Sequence, residues 1–316
     1  MVAIFTAFEL TAAGPTVQLG FPYVDTLKIQ EKFGRETIFL SDADDLDKLE
    51  KTIKAKKVAA VFTEFPTNPL LDCIDLEKLS RICRANNAAL VIDDTLSTWA
   101  NIDLTPYADI TVSSLTKFFS GIGDVLAGSL ILNSKSPLFA ELKNKLDSQY
   151  EDLLFGDDAI VLEQNSRDFE TRIAKINQNA EELYDYLKTK FPAAHPALDA
   201  GSLRKDSASS AECAAVYYPK GNPVYEKHKK LGYGGIISLV LETPEKAQKF
   251  FDALEIKKGP SLGTNYTLAC PYTMLAHYTE RDFAENSGVP FHLIRISVGL
   301  EDFGELKDKF EKAFNS

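Results

Sequence analysis

Cysteine is scarce in this 316-residue sequence: Cys73, Cys83, Cys213 and Cys270 lie far apart, and no CxxC pair occurs. That scatter gives no support for a zinc knuckle or a redox dithiol and reads as free thiols of a reducing compartment. His195, His228 and His292 have no metal-ligand spacing, so no metal is expected. No apolar run approaches the roughly 20 residues a membrane-spanning helix needs. The opening MVAIFTAFELTAAG carries Glu9 and no basic stretch, unlike a secretory leader, so a cytoplasmic protein is expected. Positive charge is also in deficit, with 35 Lys+Arg against 46 Asp+Glu and a net charge of −11. The resulting field repels polyanions, and neither nucleic acid nor an anionic membrane is an expected partner. Neither GxGxxG nor GxxxxGK[ST] is present, which removes the usual support for a dinucleotide fold or a P-loop.

The composition, 45% hydrophobic and 26% charged, is that of a globular protein with a substantial core. The length suggests two domains. VAAVF (58–62), AALVI (88–92), ITVSS (110–114) and GSLIL (128–132) read as buried strands. Between them, residues 45–55 and 74–86 place Leu46, Leu49 and Ile53, then Leu76, Leu79 and Ile82, at helical spacing, with Ser41 and Asp72 upstream as expected caps. Alternation of strand and helix predicts an α/β layer with a mostly parallel sheet. Ligands of such sheets sit beyond the carboxyl ends of the strands. A helical stretch over roughly 160–189 follows, then a break at FPAAHPALDAGS (191–202). AAVYY, GIISLVL and HLIRISV read as strands beyond it, and PEKAQKFFDALE and EDFGELKDKFEKAF as helices. The expected division is a large domain at 1–165 and a smaller α+β domain at 166–316.

Two segments carry chemistry. In DITVSSLTKFFSGIGD (109–124), Lys117 is the single charge between two aspartates, set among hydroxyls and rings just past a buried strand. Desolvation disfavours the ammonium form there, which suits an amine that attacks carbonyls. The bland alternative is a snorkelling lysine at the sheet edge. In LVIDDTLSTW (90–99), Asp93 and Asp94 end an apolar strand. Such a carboxylate could bind Mg²⁺, bond a ribose, pair with a protonated pyridine nitrogen, or merely cap the next segment. An aspartate at one strand end and an isolated lysine at the next sheet position together match what pyridoxal phosphate requires. A magnesium phosphotransferase built on Asp93 and Asp94 would leave Lys117, Asn68 and Arg295 without a role. In HLIRISV, alternation puts Arg295 on one face with Leu293 and Ser297. A buried arginine there needs a partner, and its planar fork matches a carboxylate. His277 reads as a structural hydrogen-bonding residue and Trp99 as core or interface.

EFPTNPLLDCIDL (64–76), VIDDTLST (91–98), SSLTKFFSGIGDVLAGSLILN (113–133), GPSLG (259–263) and LIRISVGLED (293–302) resemble, in the right order, the cystathionine γ-synthase family. These are Cys/Met-metabolism enzymes dependent on pyridoxal 5'-phosphate, of fold type I (aspartate-aminotransferase-like). QLGFPYVDTLKIQEKFG and GYGGIISLVL are similar to the fungal members. The resemblance implies that Lys117 captures the cofactor aldehyde and shuttles protons, and that Asp93 holds the ring nitrogen protonated. It also implies that Ser114 and Thr116 bind the phosphate, that Tyr23 stacks on the ring and accepts a proton, and that Asn68 lies near the ring hydroxyl and substrate carboxylate. Arg295 and Ser261 would hold that carboxylate. The implied reaction is γ-replacement on an O-acyl-homoserine by cysteine. Lyase-type elimination and a truncated, catalytically impaired homologue are the alternatives. A homodimer or higher homo-oligomer acting on small amino acids is expected. The family's N-terminal arm and phosphate-binding turn precede the point matching Met1, so on this likeness the sequence reads as N-terminally truncated.

Overall fold

The computed structural model describes residues 1–191 and 215–316. Six strands form the first sheet: β1 (Thr16–Leu19), β2 (Thr37–Leu40), β3 (Ala60–Glu64), β4 (Ala89–Asp93), β5 (Ile110–Ser114) and β6 (Gly128–Leu132), in the order β2-β1-β3-β4-β5-β6. All pairs are parallel except β5–β6. Val61, Phe62, Leu90, Val91 and Ile92 are buried; branched and aromatic side chains filling both faces are what a helix-covered parallel sheet needs. The helices Leu46–Lys56 and Leu76–Ala85 bury the predicted Leu46, Leu49, Ile53, Leu76 and Leu79. Their caps differ from expectation: Asp45 and Asp75, not Ser41 and Asp72, accept the backbone N–H of Lys48 and Lys78, each at 2.9 Å. The helices start later than the pattern suggested, directly after those aspartates.

Two strands, β1 and β2, were not read from the sequence. Each has four residues, and β1 interleaves Thr16 and Gln18 with its apolar positions. They matter because the chain runs from β1 outward to β2 and then returns to the other side of β1 at β3. That reversal is the topological switch point of the sheet, where ligands of such folds sit. Four carboxyl ends meet along this edge: β1 leads to Tyr23, β3 ends on Glu64, β4 on Asp93, and β5 leads to Lys117.

The predicted long helix is two, Gly156–Ser166 and Phe169–Lys190. Between them Asp168 leaves helical geometry at φ −110°, and its carboxylate accepts from Arg172 at 2.6 Å. The second sheet is β7 (Ala215–Tyr217), β8 (Ile236–Val240), β9 (Lys257–Lys258), β10 (Leu268–Pro271) and β11 (Ile294–Ser297), ordered β7-β8-β11-β10-β9. The break at 191–202 lies outside the described residues apart from Phe191. One buried apolar cluster joins Val61, Leu90 and Ile92 of the first sheet to Leu183 and Leu187 of the long helix and Ile237, Leu239 and Ile296 of the second. The two sheets therefore share a core. No helix among the described residues is long and apolar enough to cross a membrane.

Candidate active site

Past Ser114 the chain turns sharply, with the Lys117 N–H donating to the Ser114 carbonyl at 3.2 Å and the Gly121 N–H to the Lys117 carbonyl at 2.8 Å. The turn is clamped from two sides. Arg172, 4% exposed, donates to the carbonyls of Phe118 at 3.0 Å, Phe119 at 2.8 Å and Asn165 at 2.9 Å. On the other side Gly263, at φ +72°, presses directly on the backbone. A Cβ there would lie 2.5 Å from the Phe118 nitrogen and 2.8 Å from the Lys117 carbonyl carbon. Only glycine permits both that dihedral and that approach.

So fixed, the Lys117 amine donates to Ser261 Oγ at 3.2 Å. Burial lowers its pKa below the ordinary lysine range, and the nearby Arg295 guanidinium lowers it further. Arg295 is 5% exposed. Its fork donates to Asn68 Oδ1 at 3.1 Å and to the carbonyls of Pro260 and Ser261 at 2.7 and 3.4 Å, while its plane lies 4.9 Å over the Tyr272 ring. Asn68 closes the group by donating Nδ2 to the Tyr272 hydroxyl at 3.0 Å. Lys117, Ser261, Arg295 and Asn68, drawn from far-apart segments, are thus one bonded cluster.

Asp93 sits at the end of β4 and accepts the Thr95 N–H at 2.9 Å. Burial raises its pKa, and no salt bridge to it occurs among the described residues. Glu64 is its in-register partner across β3 and β4. Its carboxyl is pushed up to about 8, first by burial and then by the charge of Asp93; hydrogen bonds from the backbones of Tyr23 and Asn68, and the charge of Arg295, oppose the rise. Tyr23 is 42% exposed and donates its hydroxyl to Asp25 at 2.7 Å. Its phenol is pushed up to about 12, by burial first and then by Asp25. Thr116 exchanges hydrogen bonds with Ala127, at 3.1 and 3.4 Å. Ser114 lines a cavity of about 250 Å³ together with Asp94, Thr95 and Phe118.

Several sequence readings change. Of the core and interface readings of Trp99, the core one fails: the residue is 47% exposed, with its ring 5.2 Å from Phe169. His277 is held by packing against Phe21, Tyr272 and Phe283. Neither of its ring nitrogens has a hydrogen-bond partner, and Glu280 approaches only to 3.6 Å. No group of three or more His, Cys, Asp or Glu side chains converges among the described residues. Glu64, Arg172 and Tyr272 were missed. Two had a signal: Glu64 is a charge ending an apolar strand, and Arg172 interrupts the apolar stripe of Phe169, Ile173 and Ile176.

These residues fit pyridoxal phosphate. A shielded primary amine is available to an aldehyde, and Asp93 is a partly buried carboxylate that a protonated ring nitrogen would neutralise. The family model of Cys/Met metabolism PLP-dependent enzymes matches residues 23–315. The chain is 44% identical over 302 residues to the cystathionine gamma-synthase of Neurospora crassa, covering 94% of this chain and 46% of that protein. It is 42% identical over 322 residues to the Saccharomyces cerevisiae cystathionine gamma-synthase, covering 96% and 48%. The chain therefore spans about half the length of these relatives. Cystathionine gamma-lyase from Lactobacillus plantarum, solved in complex with L-serine, superposes with a TM-score of 0.83 at 25% identity, covering all of this chain and 80% of that one.

Proposed function

Because this chain belongs to the Cys/Met-metabolism family of PLP-dependent enzymes, we propose that it catalyses transsulfuration: γ-replacement on an O-acyl-homoserine by the thiol of cysteine. The observation that carries the proposal is the Lys117 amine, desolvated and 3.2 Å from Ser261, in the same cluster as the buried Arg295. Lys117 would hold the cofactor through its aldehyde, Asp93 its ring nitrogen, Ser114 and Thr116 its phosphate, and Asn68 the neighbourhood of its ring hydroxyl. When bound, the cofactor supplies an electron sink for the charge left on the substrate carbon.

The protein's own groups do the rest. The Arg295 fork, steadied by Asn68, receives the substrate carboxylate two-for-two, with Ser261 beside it. That contact aims the α-hydrogen at Lys117. Lowering of its pKa by burial raises the share of the free amine that accepts a proton, and its flexible stem lets it serve the α and then the β carbon. Tyr23, at the mouth of the site, covers the ring. With its phenol raised to about 12, it is a proton donor rather than a phenolate at neutral pH.

The same reading takes residues 1–165 as the cofactor domain and 166–316 as the smaller domain, and places the protein in the cytoplasm as a homo-oligomer acting on small amino acids. The test has two parts. A visible absorbance band on adding pyridoxal phosphate, absent in Lys117→Ala, is expected; no band at saturating cofactor would refute the proposal. Incubation with O-acetyl- or O-succinylhomoserine plus cysteine should give cystathionine. Breakdown of supplied cystathionine without synthesis would assign elimination instead.

A further inference from the structure

Two carboxylates stand side by side at the sheet's switch-point edge, and the proposed function uses only one. Glu64 and Asp93 end adjacent parallel strands in register. Glu64 is 7% exposed. The groups facing it are Asp93 on β4, Arg295 on β11, the Tyr272 ring after β10, and Tyr23 and Asn68, whose backbone N–H groups bond its carboxylate. Asn68 lies between two cis-proline bonds, Phe65-Pro66 and Asn68-Pro69. One buried side chain thus ties down the backbones of two residues assigned to the site, next to a third.

We propose that Glu64 is a positioning residue that shares a single proton with Asp93 while the ring site is empty and releases it when a ring cation takes up Asp93. The inference rests on the pyridoxal-phosphate reading of the site. Of two neighbouring carboxylates withdrawn from water, charging one raises the cost of charging the other; Asp94 and the Met1 amino group also act on Asp93, with opposite sign. Arg295 is near, and its charge opposes the rise at Glu64, but no hydrogen bond joins the two among those its fork makes to Asn68, Pro260 and Ser261. A protonated pyridine nitrogen facing Asp93 cancels that carboxylate's charge. Burial still disfavours the charge on Glu64, but with the repulsion from Asp93 gone the two backbone N–H groups and Arg295 shift its balance toward the ionised form. The proton leaves Glu64 for solvent, and the resulting charge strengthens its hold on Tyr23 and Asn68. Loading the ring would thereby tighten the substrate side of the site.

The test uses pyridoxine 5'-phosphate, which has the ring and phosphate but no aldehyde, so the Lys117 amine does not condense with it. Titration calorimetry at pH 7 in buffers of different ionisation enthalpy gives the number of protons released on binding. The wild-type protein should release up to one proton more than Glu64→Gln, and melting curves show whether the variant is folded. If the variant does not fold, the wild-type count decides, since it should fall by up to one proton as pH rises through about 8. Equal counts in both proteins, or a pH-independent wild-type count where the variant fails to fold, would overturn the role of Glu64 while leaving the cofactor reading intact. No binding of either pyridoxine 5'-phosphate or pyridoxal phosphate to the wild type would overturn both.

Discussion

Replacing Arg172 by methionine keeps much of the side chain's volume and helix propensity but removes every donor. The buried carbonyls of Phe118, Phe119 and Asn165 lose a charged partner. Leaving a buried acceptor unsatisfied costs about 1–3 kcal/mol. Three such losses set an upper range that relief from burying the guanidinium offsets in part. The Asp168 side chain is 66% exposed and finds water, so its pair contributes little. Breaking a buried charged network typically costs about 3–5 kcal/mol. For a chain of this length, with an unfolding entropy of about 2.1 cal/mol/K per residue, that corresponds to a melting temperature lower by roughly 5–8 °C. Calorimetry reads this directly. Because two of the freed carbonyls immediately follow Lys117, pyridoxal phosphate affinity should fall as well, about tenfold or more, as read from the visible band. Arg172→Lys should recover only part of either effect, since one ammonium does not reach three carbonyls held for a planar fork. An unchanged melting temperature and an unchanged cofactor affinity in Arg172→Met would refute the clamp.

Gly263→Ala should cost about 2–5 kcal/mol, because it adds left-handed strain to a backbone collision beside Lys117; denaturant unfolding measures it, and a neutral result would mean the turn yields easily. Asn68→Ala should raise KM for the amino-acid substrate more than it lowers kcat, since Arg295 loses an orienting acceptor; an unchanged KM contradicts the assignment. Stability without cofactor should decline between about pH 5 and pH 8. The folded Glu64 carboxyl, raised to about 8, binds a proton there that the unfolded chain has released, so unfolding is favoured as pH rises. Glu64→Gln should flatten that slope, measured by urea titration at several pH values, and an identical slope would remove Glu64 as its source.

The sequence carried the parts of this fold whose signal is local. The apolar runs that became β3, β4 and β5 are largely buried stretches rich in branched residues, whereas β6, read from the sequence as buried, is a partly exposed edge strand with Ile131 47% exposed. β1 and β2 escaped because TVQL and TIFL are four residues long and place polar groups among apolar ones. Gln18 of β1 is buried through a tertiary partner, its Oε1 accepting from Gln30 at 2.8 Å, while the buried Thr16 hydroxyl has no hydrogen-bond partner. At the site, Lys117 and Arg295 were legible because a charge isolated among apolar or hydroxyl neighbours is costly unless used. Tyr272 gave no such sign: a tyrosine in CPYTMLAHY is ordinary until the fold brings Asn68 and Arg295 against it.

Lys117 owes its altered character to the far half of the chain. Asp93 and the turn after β5 come from the first sheet, but the Ser261 hydroxyl, the Arg295 charge and the close approach of Gly263 all arrive from beyond residue 215. A fragment of the first 191 residues would carry the lysine without the hydroxyl that its amine bonds, the guanidinium that lowers its pKa further, or the glycine pressed on its turn. The two halves form a single functional unit: a substitution at Ser261, Gly263 or Arg295 alters the chemistry at a lysine 144 residues or more away in the chain.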